Sequence, residues 1–123
     1  MGINTCWVAL TFSKRKAPCN VGPGERFYCA ITFGYGETQG VAHRSRDMSE
    51  LCETDVDMPE WFRNGVEAAM LAPTAINQQK FRFVLKDSQV TAVSRKGPCS
   101  EIDLGIVKYH FELGSDRQGL FGL

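Results

Sequence analysis

The chain has 123 residues, 43% of them hydrophobic and 23% charged, with 14 basic side chains balancing 14 acidic ones. That is enough chain for one core, and a formal charge of zero gives no clustered basic surface of the kind that nucleic acid or anionic lipid requires. No apolar run approaches the roughly 18 residues that span a bilayer, and no basic segment precedes the apolar start as in a secretory signal, so the sequence predicts a cytoplasmic protein.

Five cysteines, at positions 6, 19, 29, 52 and 99, fit neither a disulfide framework nor a Cys-x-x-Cys knuckle. Reduced thiols are expected. His43 and His110 lie far apart with no ligand spacing typical of zinc, so no metal site is predicted.

Cys6 to Phe12 alternates like a strand, and Glu25 to Tyr35 is β-branched and aromatic between glycine-rich turns, which predicts another. From residue 37 to 57 the composition turns polar, with His43-Arg44-Ser45-Arg46 and then Glu50, Glu53, Asp55 and Asp57, and the segment reads as a long surface connection. Pro59 suits a first helical turn, with Asp57 or Met58 before it as cap. Phe62, Val66, Ala69 and Met70 then share one helical face until Pro73 forces the chain out. Lys80 to Lys86 alternates as a half-buried strand, and Asp87-Ser88 turns tightly into a second strand from Gln89 to Ser94. After Gly97-Pro98, Ser100 and Asp103 form a capping pair for a helix over 101–113, with Ile102, Ile106, Tyr109 and Leu113 as its apolar stripe. The tail, with Leu120, Phe121 and Leu123, reads as an arm that docks on something.

Three polar clusters stand where a fold could use them. Thr74, Asn77, Gln78 and Gln79 occupy a turn between helix and strand, where such residues either bind a ligand or satisfy local backbone groups. Arg44 and Arg46 are fork-shaped cations able to hold a phosphate, or ordinary solvated arginines. Gly2-Ile3-Asn4-Thr5-Cys6-Trp7 places small residues beside a large aromatic, which is also how a strand carrying a core Trp begins.

Taken together the clusters resemble the FMN-dependent nitroreductase family. Ala72-Pro73-Thr74-Ala75-Ile76-Asn77-Gln78-Gln79-Lys80-Phe81 is similar to its Ala-Pro-Ser-Ala-x-Asn-x-Gln-Pro-Trp motif, with Thr74 for Ser, and Lys80 and Phe81 where Pro and Trp are usual. Ile102-Asp103-Leu104-Gly105-Ile106 and His110-Phe111-Glu112-Leu113 resemble the signature of single-chain members in which two similar halves imitate a homodimer. Gly2 to Trp7 is similar to their Gly-x-Gly-Thr-Cys-Trp segment, with Asn4 for a Gly, and Ile31 to Gly36 to a strand ending in Gly-Tyr-Pro.

The resemblance implies an α+β fold, an antiparallel sheet with flanking helices, in an incomplete copy that lacks the N-terminal half and the Arg-Arg-Ser-x-Arg arm it carries. Residues 1–36 would end the first half, 37–57 connect, and 58–123 form a second helix-strand-strand-helix unit. It implies FMN as cofactor, with NAD(P)H as reductant and a nitroaromatic or quinone-like acceptor, and no catalytic side chain. Thr5, Cys6 and Trp7 would line the flavin ring. Thr74, Asn77 and Gln79 would lie near the ring or ribityl chain, and Arg44 and Arg46 would hold the phosphate. A homodimer is expected. The alternative readings are a truncated, non-catalytic nitroreductase-like module for binding or assembly, and a domain using the same pocket for another flat ligand.

Overall fold

The computed structural model describes residues 2–9, 11–13 and 19–122. The chain divides into two units, Met1–Ala42 and His43–Leu123.

The first unit is built on one antiparallel pair, β1 (Asn4–Val8) and β2 (Ala30–Gly34), in which Thr5 faces Phe33, Cys6 faces Thr32 and Trp7 faces Ile31. β1 begins two residues before the expected strand and ends at Val8; Leu10, inside the expected span, lies outside the described residues. The strand expected over 25–35 is shorter, because Glu25 to Cys29 makes no ladder. Beyond β2 the Asn4 Nδ2 donates to Thr38 O at 2.8 Å, closing the hairpin over Gly36, where an added Cβ would lie 2.6 Å from that same amide nitrogen.

The second unit begins with α1 (Met48–Leu51) and β3 (Cys52–Thr54), then α2 (Glu60–Met70), β4 (Phe81–Lys86), β5 (Gln89–Ser94) and α3 (Ser100–Ser115). Residues 37–57, expected as a bare connection, thus hold a helical turn and a strand. β3 pairs in parallel with β4, Cys52 beside Phe83, and β5 pairs with β4 in antiparallel. The acidic residues hid this strand. Leu51 and Cys52 are buried while Glu53 and Asp55 face outward, and a three-residue edge strand needs no more apolar pattern than that. The β4–β5 turn is as expected, with both Asp87 and Ser88 at positive φ, 50° and 63°, in the manner of a type I′ hairpin.

One face of this sheet carries Phe81, Phe83 and Leu85 into the core, where α2 supplies Phe62, Val66 and Ala69 and α3 supplies Val107 and Phe111. Phe111 lies 4.5 Å from Phe83 and 5.6 Å from Phe62, ring centre to ring centre. Each such side chain contributes about 1.5 to 3 kcal/mol of burial, so this aromatic group anchors the unit. The helices approach at glycines. A Cβ on Gly65 would stand 2.8 Å from the Phe111 ring, and one on Gly114 would stand 2.4 Å from Ala68 Cβ.

That approach corrects two sequence readings. The buried stripe of α3 is Asp103, Val107, Phe111 and Ser115, with Glu112 beside it. Tyr109 and Leu113 of the expected stripe are 58% and 59% exposed. Rotating α3 so that Phe111 enters over Gly65 turns those two outward. Ser100 and Asp103 are not a capping pair either: the N-cap of α3 is Cys99, at φ 53°, and Asp103 reaches out of the helix. For α2 the N-cap is Pro59, whose carbonyl receives the N–H groups of Phe62 and Arg63.

The tail does dock, and on its own unit. Phe121 packs 5.7 Å from Phe111 and donates its N–H to the buried carboxylate of Glu112 at 3.1 Å. Leu123 lies outside the described residues.

Candidate functional site

Pro73 ends α2, and the chain crosses to β4 through a short 3-10 turn, Ala75–Asn77, in which Ile76 at φ 49° and Asn77 at 52° adopt left-handed backbone, as does Gln79 just after it at 46°. Left-handed geometry costs a β-branched residue on the order of 1–2 kcal/mol, so surrounding contacts must hold the turn. They are supplied from α3. The buried Asp103 carboxylate accepts the Ala75 N–H through both oxygens, at 3.0 and 3.1 Å, and the Gln78 side-chain amide at 2.7 Å. Gln78 also donates to Pro98 O at 2.7 Å, and Gly97 lies close beside it, where an added Cβ would meet the Gln78 side-chain oxygen and the Lys80 stem.

A second set of bonds ties the turn to residues 43–46. Gln79 Oε1 accepts the Arg46 N–H at 2.8 Å, and its Nε2 donates to Arg44 O at 2.8 Å and to Asn77 Oδ1 at 2.9 Å. Asn77 Nδ2 donates to the same Arg44 carbonyl at 3.0 Å, and Thr74 Oγ1 accepts the Gln79 N–H at 3.1 Å. Ser45 fixes the strap from its other side by donating to Met70 O at 3.0 Å.

The structure therefore brings Arg44, Arg46, Thr74, Asn77 and Gln79 together, and it does so largely through their own backbone and amides. The buried amide of Gln79 is fully engaged as a clamp. What the turn leaves outward is the Arg44 side chain and Ile76, which is 83% exposed. Thr5, Cys6 and Trp7 belong to the other unit, on β1. Thr5 and Trp7 share a strand face with Ile31 and Phe33, whereas Cys6 points to the opposite face with Thr32.

Asp103 and Ser45 were missed as site residues. Asp103 carried a signal of sorts, a carboxylate in a helix's first turn, but that signal fits a cap equally well.

Beside the turn, at the start of β4, lies a cleft of about 250 Å³ lined by Arg46, Glu50, Gln79, Lys80, Arg82 and Arg95, with Leu51 and Phe81 at its apolar side. Among the described residues no group of three His, Cys, Asp or Glu side chains could hold a metal ion, and no helix is long and apolar enough to cross a membrane.

A family model described as "Putative TM nitroreductase" matches residues 1–115. The chain belongs to this nitroreductase family. Among solved structures, a "putative nitroreductase" from Thermotoga maritima aligns with it at a TM-score of 0.66 and 25% sequence identity, over 92% of this chain and 46% of that one. The nitroreductase-like chain described here thus spans less than half the length of that protein, in keeping with a partial copy of the fold. A search of curated proteins gave no match.

Proposed function

We propose that this chain is part of an FMN-dependent oxidoreductase of the nitroreductase class, reducing nitroaromatic or quinone-like acceptors with NAD(P)H in the cytoplasm. The observation that carries the proposal is the left-handed turn at Ile76–Gln79. It is held from behind by Asp103 and from the side by residues 44–46, which is a costly arrangement for a mere connection. The groups present fit a flavin mononucleotide. Thr74 and the remaining N–H of Asn77 would hold its polar tail, and Arg44 and Arg46 its phosphate. When bound, the flavin supplies the redox chemistry, accepting hydride from NAD(P)H and passing electrons to the acceptor. The protein's part is to position the ring and exclude water, and no side-chain acid or nucleophile is needed.

The test is the absorbance spectrum of the purified protein, where bands near about 370 and 450 nm report oxidised flavin. Colourless protein that fails to take up added FMN rejects the proposal.

One observation favours a second reading, a non-catalytic binding or assembly module. The Gln79 amide, and much of Asn77, is spent inside the strap, which leaves fewer donors for a ligand than the motif implies. Both readings include a homodimer. The outward stripe of α3 with Tyr109 and Leu113 supports it, since aromatic and aliphatic side chains so exposed on one helix suit a twofold contact. Light scattering that reports a monomer across micromolar concentrations rejects the dimer.

A further inference from the structure

We infer that the cleft at the start of β4 is a seat for a phosphate monoester, held by Arg82, Arg95 and Lys80 together with Arg46. The inference goes beyond the assignment of phosphate to Arg44 and Arg46, and it stands whether or not the chain holds a flavin.

Four cations and one carboxylate, Glu50, line this space. Like charges gathered around a cleft repel one another, and folding does not bring them together without a compensating charge. The carboxylates within reach compensate only in part. Glu50 meets Arg46 at 3.6 Å, with both side chains about half exposed, and Glu53, on the neighbouring strand, meets Arg82 Nη2 at 3.3 Å. Lys80 Nζ has only the carbonyl of Lys96, at 3.1 Å. The Arg95 backbone is pinned by its N–H to Lys80 O at 2.9 Å, while its guanidinium has no carboxylate partner among the described residues.

The decisive atom is Arg82 Nε. It is buried and has no acceptor among the described residues, although the other end of the same guanidinium is paired. A buried donor left unmet is costly to keep, and a turn of the part-exposed guanidinium toward the cleft would let an oxyanion there satisfy it. Two arginine forks and an ammonium suit a tetrahedral dianion better than a single carboxylate, because several oxygens can be met at once. A solvated patch of arginines would account for Arg95 and Arg46 but not for a buried unmet Nε.

A phosphate monoester could come from the flavin tail, from the 2′-phosphate of NADPH, or from free phosphate. Calorimetric titration of the full chain with inorganic phosphate, with FMN against riboflavin, and with NADPH against NADH separates these sources. The expected result is that at least one phosphate-bearing probe binds, outbinding its phosphate-free twin where it has one. Arg82→Gln and Arg95→Gln should each weaken that binding about tenfold, the loss of one charge-assisted contact. Lys86→Gln removes an equal charge at the far, exposed end of β4 and should change nothing. A preference for FMN over riboflavin, for NADPH over NADH, or binding of inorganic phosphate alone, each lost in Arg95→Gln, supports the seat and names its source. Arg95 is exposed, so that variant folds even if Arg82→Gln does not. Binding that ignores both arginines, or no advantage for any phosphate-bearing probe, overturns the inference. Riboflavin and FMN bound equally, with no arginine-sensitive binding of inorganic phosphate or preference for NADPH, would overturn it while leaving flavin binding itself intact.

Discussion

The carboxylate of Asp103, on α3, accepts the backbone N–H of Ala75 with both of its oxygens, at 3.0 and 3.1 Å, and so couples a helix to a turn 28 residues earlier. Asp103 is only 7% exposed and also receives the Gln78 amide, so its oxygens are met mainly by these protein donors. Asp103→Asn replaces one acceptor with a donor that faces donors. Stability in urea should fall by about 1 to 3 kcal/mol, the cost of leaving buried donors unsatisfied. An unchanged unfolding midpoint would show that the turn holds itself.

Most elements of His43–Leu123 were legible because they rest on short-range patterns, whereas α1 and β3 carried none. Alternation located β4, helical spacing located α2, and the turn at Asp87-Ser88 placed β5. The face of α3 was not legible, since the stripe it buries is half polar and less apolar than the one its sequence offers, and the choice is made by Gly65, 46 residues away from Phe111, through a gap only the folded chain contains. The candidate site was legible in the same limited sense. Thr74, Asn77 and Gln79 stood out as a polar turn, but that Gln79 would spend its amide on Arg44 and Arg46 depends on a contact across more than 30 residues.

The glycines of the two long helices should answer differently to the same substitution. Gly65→Ala and Gly114→Ala place a methyl group within 2.8 and 2.4 Å of neighbouring side chains, and overpacking of that kind costs about 1 to 3 kcal/mol. Gly105 has nothing within 4 Å of its would-be Cβ, so Gly105→Ala should gain up to about 1 kcal/mol from helix propensity alone. Thermal melts of the three variants check the contrast. Equal responses would mean that α2 and α3 do not meet at Gly65 and Gly114.

Burial pushes the Cys52 thiol above its ordinary value of 9.0, outweighing the pull of Arg82 the other way. The folded state therefore keeps this proton where the unfolded chain would lose it. The sign follows: the contribution to stability is fully present below the ordinary thiol value and is lost as pH rises from there toward the raised one. Unfolding measured in urea between neutral pH and about pH 10 should show an alkaline decline that Cys52→Ala removes, although that variant starts from lower stability because it leaves a gap in the core. A decline of equal size in Cys52→Ala would assign the effect to other groups.

Ile76 combines two unfavourable features, a left-handed backbone at φ 49° and a β-branched apolar side chain that is 83% exposed. Asparagine tolerates this backbone far better, so Ile76→Asn should stabilise the dilute, ligand-free chain by about 1 kcal/mol, part of the penalty for a left-handed β-branched residue. A stabilised variant would mean that the isoleucine is kept for something it touches in use, a ligand or a second copy. The same variant should then bind FMN more weakly, or dimerise less, than the parent chain. Should Ile76→Asn prove less stable in dilute solution, the side chain is already packed there, and the exposed turn described here is not the form the protein adopts.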